Sequence, residues 1–203
     1  MVASRSRPKC QHNLYLALSD DWEANCHNLV DLTLAKQVDC IISTIGLLHT
    51  PNNLPEKSIV QLDADWFLKN MQINCLVNLQ LLSHLTKKLS SKTTLKFIAF
   101  SARIGSLNDN YLGGWLSYRV SKAALNMGLK TVAIEWQRLF KQAILIGYHP
   151  GTVNSKLSKP FLKNVKTVLT TVEAADYLIT FLPKLNPSMN GYVYDWQGKV
   201  IPF

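Results

Sequence analysis

Apolar residues along this chain gather in two kinds of run. Val38-Asp39-Cys40-Ile41-Ile42, Leu95 to Phe100 and Ala143 to Tyr148 are short, apolar and rich in β-branched side chains, the pattern of buried strands, with the first suited to a parallel sheet. Residues 63–89 instead space Trp66, Phe67, Met71, Leu79 and Leu82 as one face of a long amphipathic helix. A further helix is expected to start near Tyr118. Thr171-Val172-Glu173-Ala174-Ala175 reads as a helix start, and Asn190 to Gly198 as a turn leading into a final strand. Leu14 to Leu18 reads as another strand, followed by Asp20 or Asp21 as the cap of a helix containing Trp22 and Glu23.

Composition narrows the class without deciding the chemistry. The 203 residues, 47% of them hydrophobic, suit one soluble globular domain over 1–203, with no linker, repeat or low-complexity tract. No apolar run approaches the ~20 residues needed to span a bilayer, and the start has no secretory apolar core. A cytoplasmic protein is expected, with no membrane partner. Four cysteines, at positions 10, 26, 40 and 75, show no Cys-x-x-Cys spacing, and the five histidines form no zinc-ligand pattern, so no metal is expected. Cys40 and Cys75 lie in apolar segments and read as small core residues. The formal charge of +9 raises nucleic acid as a partner, but the lysines are dispersed and no recognition motif accompanies them. No nucleic-acid partner is expected.

The chemistry concentrates at Ser117-Tyr118-Arg119-Val120-Ser121-Lys122, where Tyr118 and Lys122 are four residues apart, one helical turn. A cation beside a phenol favours the phenolate and lowers a pKa that starts near ~10, which makes the tyrosine a usable proton donor and acceptor. Such a pair suits carbonyl or alcohol redox chemistry. The spacing alone is a weak signal, but the block FSARIGSLNDNYLGGWLSYRVSKAALNM, residues 100 to 127, resembles the short-chain dehydrogenase/reductase family, and within it the C-factor-like branch.

The resemblance implies an α/β fold with a Rossmann-like doubly wound parallel sheet. It also implies an NAD(P)(H)-dependent oxidoreductase that interconverts a small-molecule carbonyl and alcohol, NADP slightly favoured over NAD. In that reading Tyr118 is the acid/base, Lys122 lowers its pKa and holds the ribose hydroxyls, and Asn74 bends its helix locally and anchors a proton relay. Gly46 closes Ser43-Thr44-Ile45-Gly46, where the family carries Asn-Asn-Ala-Gly, so both asparagines are replaced. Pro150, Gly151, Thr152 and Val153, with Ser155 nearby, match the turn that approaches the nicotinamide amide. The family also implies a homodimer or homotetramer through helices near 63–89 and 118–136.

Two departures stand against the pattern. Counting back from Gly105, the family's substrate-binding serine falls on Ala102; Ser101 is one residue out of register and serves only if the turn is distorted, and Ser106 lies beyond the glycine. The second departure is upstream. The first glycine is Gly46, so the opening strand and Gly-rich phosphate turn of the family pattern, roughly 30 residues, are missing, and the domain is expected to be N-terminally truncated. A late start, a decayed gene copy and a protein that works without a dinucleotide all remain open. Residues 1–8 would then be the tail of the second strand, Arg5 or Arg7 would meet a 2′-phosphate, and Asp20 or Asp21 the adenine side. The strand at 38–42 would present an unpaired edge. The alternative function is a non-catalytic relative acting through protein association.

Overall fold

A computed structural model describes residues 2–4, 15–163 and 165–203. Short strands β1 (Val2–Ser4) and β2 (Tyr15–Ala17) pair in parallel, and α1 (Trp22–Ala35) follows. Asp21 is the cap of α1: its carboxylate accepts from the Ala24 backbone N–H at 3.1 Å. A second, fully parallel sheet runs β3 (Cys40–Ser43), β4 (Lys96–Phe100), β5 (Ile144–His149) and β6 (Val193–Asp195) in that spatial order. Among the described residues β3 pairs only with β4, so it is an edge strand, and Ile42 is 40% exposed there.

Alternation along the central strands divides the core in two. Phe97, Ala99 and Leu145 point to one face, against Leu82 and Leu85 of α3 (Val77–Lys88) and Leu125, Leu129 and Trp136 of α4 (Leu116–Leu139). Ile98, Ile144, Ile146 and Tyr148 point to the other, against Leu178 and Phe181 of α5 (Thr171–Phe181). Helices on both faces explain why these strands read as continuous apolar runs. Burying each leucine contributes roughly 1.5–3 kcal/mol. The Trp136 indole N–H donates to Thr86 Oγ1 at 2.8 Å, which fixes α4 against α3 without an orphaned polar atom. At α5, Thr170 and Glu173 form a reciprocal capping box.

The amphipathic run expected as one helix is α2 (Ala64–Met71), a π turn over Gln72–Leu76, and then α3. The π turn widens the helix by one residue, and Asn74 sits inside it, fully buried. That is the local bend the resemblance implied. Downstream of β4, a 3₁₀ turn at Arg103–Gly105 lies directly on α4. A Cβ on Gly105 would stand 2.8 Å from the Lys122 carbonyl carbon and 3.0 Å from the Ala123 nitrogen, both backbone atoms. Gly105→Ala is therefore expected to cost ~1–3 kcal/mol through overpacking, read as a lower urea midpoint with unchanged slope; an unchanged midpoint would show that α4 yields freely.

Candidate active site

The carboxyl ends of β3, β4 and β5 open onto a cavity of about 830 Å³. Gly46, Phe100, Ala102, Tyr118, Lys122 and the Pro150–Val153 turn line one part of it. Trp115, Leu157, Phe161 and Val165 line an apolar part. Gly151 takes φ +79, which a side chain would strain, and a Cβ there would stand 2.9 Å from the Trp196 ring.

Tyr118 and Lys122 occupy the first two turns of α4, and the lysine Nζ lies 5.9 Å from the centre of the tyrosine ring. Lys122 is buried, and its ammonium donates to the Phe100 carbonyl at 2.8 Å. Burial brings its pKa down to about 8, with Cys75 opposing that shift. Burial pushes the Tyr118 phenol up to about 12. The expected lowering of this pKa by the lysine is absent here, because the ammonium is turned to the Phe100 carbonyl and desolvation outweighs it.

Asn74 clamps the loop after β3. Its Oδ1 accepts from the Leu47 N–H at 2.7 Å, and its Nδ2 donates to the Leu47 carbonyl at 2.8 Å and to Ser121 Oγ at 3.0 Å. Asn74 thus joins the Gly46 loop to α4. A Cβ at Gly46 would stand 3.7 Å from both Asn74 Oδ1 and Lys122 Nζ, so the bare backbone faces the lysine. The entry to α4 is held by a residue the sequence did not single out. Glu56 is buried, accepts from the Ser117 N–H at 3.2 Å and from the Ser117 hydroxyl, and its backbone carbonyl accepts from the Trp115 N–H at 2.5 Å. Trp115 is held at φ +54, a left-handed conformation that costs energy for a bulky residue, immediately before the helix that carries Tyr118.

The remaining predicted residues divide by position. Ala102 is extended (φ −150, ψ 145), and Ser101 lines the cavity with its hydroxyl donating to Asn126 Oδ1 of α4 at 2.5 Å. Ser106 is buried and accepts from the Asp109 N–H, away from the cavity lining. Asp20 is exposed and does not line the cavity. Arg5 and Arg7 lie outside the described residues. The sequence reading missed His149 and Arg103, which both line the cavity. Burial, then the charges of Arg103 and Lys122, bring the His149 imidazole down to about 4 against the opposing pull of Asp195, so it is neutral at physiological pH. Arg103 is anchored on Asp109 at 2.5 Å and Asp195 at 3.0 Å.

No protein-family model matches the chain. C-signal of Myxococcus xanthus is 27% identical over 143 residues, covering 70% of this chain and 82% of that protein. The 1-hydroxy-2-glutathionyl-2-methyl-3-butene dehydrogenase of Rhodococcus sp. (strain AD45) is 28% identical over 172 residues, covering 80% of this chain and 73% of the relative. The NADPH-bound carbonyl reductase from chicken fatty liver has the same fold, with a TM-score of 0.77 at 21% identity over 94% of this chain and 74% of that one. These similarities support membership of the short-chain dehydrogenase/reductase family.

The cavity-lining residues have the shape to receive one end of a dinucleotide. Gly46 gives bare backbone facing Lys122, and the Pro150–Val153 turn lines the same cavity as Tyr118 and Lys122, as a nicotinamide and its ribose require. No glycine precedes Gly46, so among the described residues no Gly-rich turn receives the pyrophosphate.

The buried lysine makes stability depend on pH. Between about 8 and its usual 10.5 the unfolded chain holds more protons at this position than the folded one, so Lys122 makes stability rise with pH across that window. Tyr118, raised from 10 to about 12, acts oppositely, and its contribution is lost as pH rises through that range. Lys122→Met should therefore gain on the order of a few kcal/mol relative to the parent at pH 7 and less at pH 9.5, measured by urea unfolding; an equal difference at both values would place the lysine outside the buried site. Glu56→Ala should cost about 1–3 kcal/mol in the same assay by orphaning the α4 entry, and no loss would mean water replaces the carboxylate.

Proposed function

We propose that this chain is a nicotinamide-dependent oxidoreductase interconverting a carbonyl and an alcohol, with NADP(H) favoured. The observation that carries the reading is the Tyr118–Lys122 pair on α4, facing one cavity together with Gly46 and the Pro150–Val153 turn. The NADPH in the similar carbonyl reductase supports the choice of cofactor class. A bound nicotinamide supplies or receives the hydride at the substrate carbon.

The residues of this chain handle the proton. Tyr118 gives its phenolic proton to the substrate oxygen in reduction and takes it back in oxidation. A phenol held near 12 is fully protonated at neutral pH, the state reduction needs. Lys122 keeps its charge at pH 7 and would hold the ribose hydroxyls of a bound nicotinamide nucleotide, steadying the phenolate as the proton leaves. Asn74 holds the Gly46 loop against α4, so the lysine has a fixed approach, and it anchors the relay that returns a proton to Lys122. Ser101 supports α4 through Asn126, which leaves Tyr118 as the proton donor at the substrate oxygen. Trp115, Leu157, Phe161 and Val165 make the rest of the cavity apolar, which suits a carbonyl with an apolar or aromatic body. The C-factor-like branch is our assignment within the family, and C-signal is the relative that supports it.

Association without turnover is the second reading. Leu68 (63%), Met127 (65%) and Ile134 (47%) are exposed on α2 and α4, the helices through which a homodimer or homotetramer would form. Tyr118→Phe separates the two. It should lower NADPH-dependent reduction of apolar ketones by about 10²–10⁴-fold while leaving NADPH affinity within about twofold. Equal loss of binding and turnover would make Tyr118 structural, and a folded oligomer with no turnover in the parent would favour association.

A further inference from the structure

On the side of the fold where α1 packs beside α3, the chain brings together three groups that have no part in the cavity. Glu23 and His27 are one turn apart on α1, and His84 reaches them from α3. One ligand atom from each of the three lies within 4.8 Å of the others. His84 Nε2 stands 3.0 Å from Glu23 Oε1, and its side chain is only 13% exposed. The two imidazole rings meet edge to face, with centres 4.5 Å apart. His27 Nδ1 lies 3.1 Å from the Glu23 backbone carbonyl; with its proton there, the Nε2 lone pair is free. Metal-bound histidines characteristically hold their second nitrogen on a carbonyl in this way.

We propose that Glu23, His27 and His84 form a binding site for a zinc-class divalent cation. Two imidazoles and a carboxylate suit Zn²⁺ and its borderline neighbours, whereas Mg²⁺ and Ca²⁺ prefer all-oxygen sets. Ligand atoms ~2.1 Å from a tetrahedral ion stand ~3.4 Å apart. The His84–Glu23 pair, 3.0 Å apart, needs to open by only a few tenths of an ångström, and the wider spread of the set closes by movement of the exposed His27 side chain. Binding leaves a fourth position open to water on the exposed side. Because the ligands come from two helices, the cation ties α1 to α3 and stabilises the folded state alone.

Titration of the metal-free full chain with Zn²⁺, followed by calorimetry and thermal unfolding, tests this. One equivalent should bind with a raised unfolding midpoint. His27→Ala, an exposed position that leaves the fold intact, should weaken binding roughly tenfold or more, and so should His84→Asn in protein shown by circular dichroism to be folded. Co²⁺ should give a tetrahedral visible spectrum without thiolate charge-transfer absorption. Absence of binding, binding unchanged in His27→Ala and His84→Asn, or a thiolate spectrum placing the ion on a cysteine would each overturn the proposal.

Discussion

The arrangement around the cavity depends on one buried charge. Lys122 carries an ammonium with little access to water, and the Phe100 carbonyl at the end of β4 is its acceptor. Burying a cation is costly unless its donors are met, so the first turns of α4 must stay in register with the end of β4. Three neighbours enforce that register. Gly105 lets the turn after β4 lie against the backbone of Lys122, Asn74 ties the Gly46 loop to Ser121, and Glu56 holds the entry of α4 through Ser117 and Trp115. The π turn that presents Asn74 and the left-handed Trp115 are the local costs of this geometry.

The same burial changes how the tyrosine is prepared. A lysine one turn away suggests a phenol with a lowered pKa, yet desolvation raises Tyr118 to about 12. Spacing gives proximity on a helix face but not what the ammonium is bonded to. A ribose hydroxyl of a bound nicotinamide nucleotide would give the Lys122 ammonium an acceptor beside the phenol.

Much of the fold could be read from local pattern because local physics governs it. The apolar runs at 38–42, 95–100 and 143–148 became β3, β4 and β5 within a residue or two, since both faces of these strands are covered. Asn74 was legible because its family position coincides with a real interruption of the helix. Glu56 was not, because it is far from Ser117 in sequence and no periodicity marks it. The Glu23–His27–His84 cluster escaped for the same reason, as packing of α1 on α3 creates it. Ser101 could be flagged as out of register, but only the packing of α4 shows that its hydroxyl meets Asn126.

Titration of the folded chain with NADPH, followed by nicotinamide fluorescence in the parent and in Lys122→Met, tests the central claim most directly. If Tyr118 and Lys122 form a nicotinamide site, the parent should saturate with enhanced emission and Lys122→Met should weaken binding by about tenfold or more. No saturation by the folded parent, or identical binding in Lys122→Met, would contradict the account.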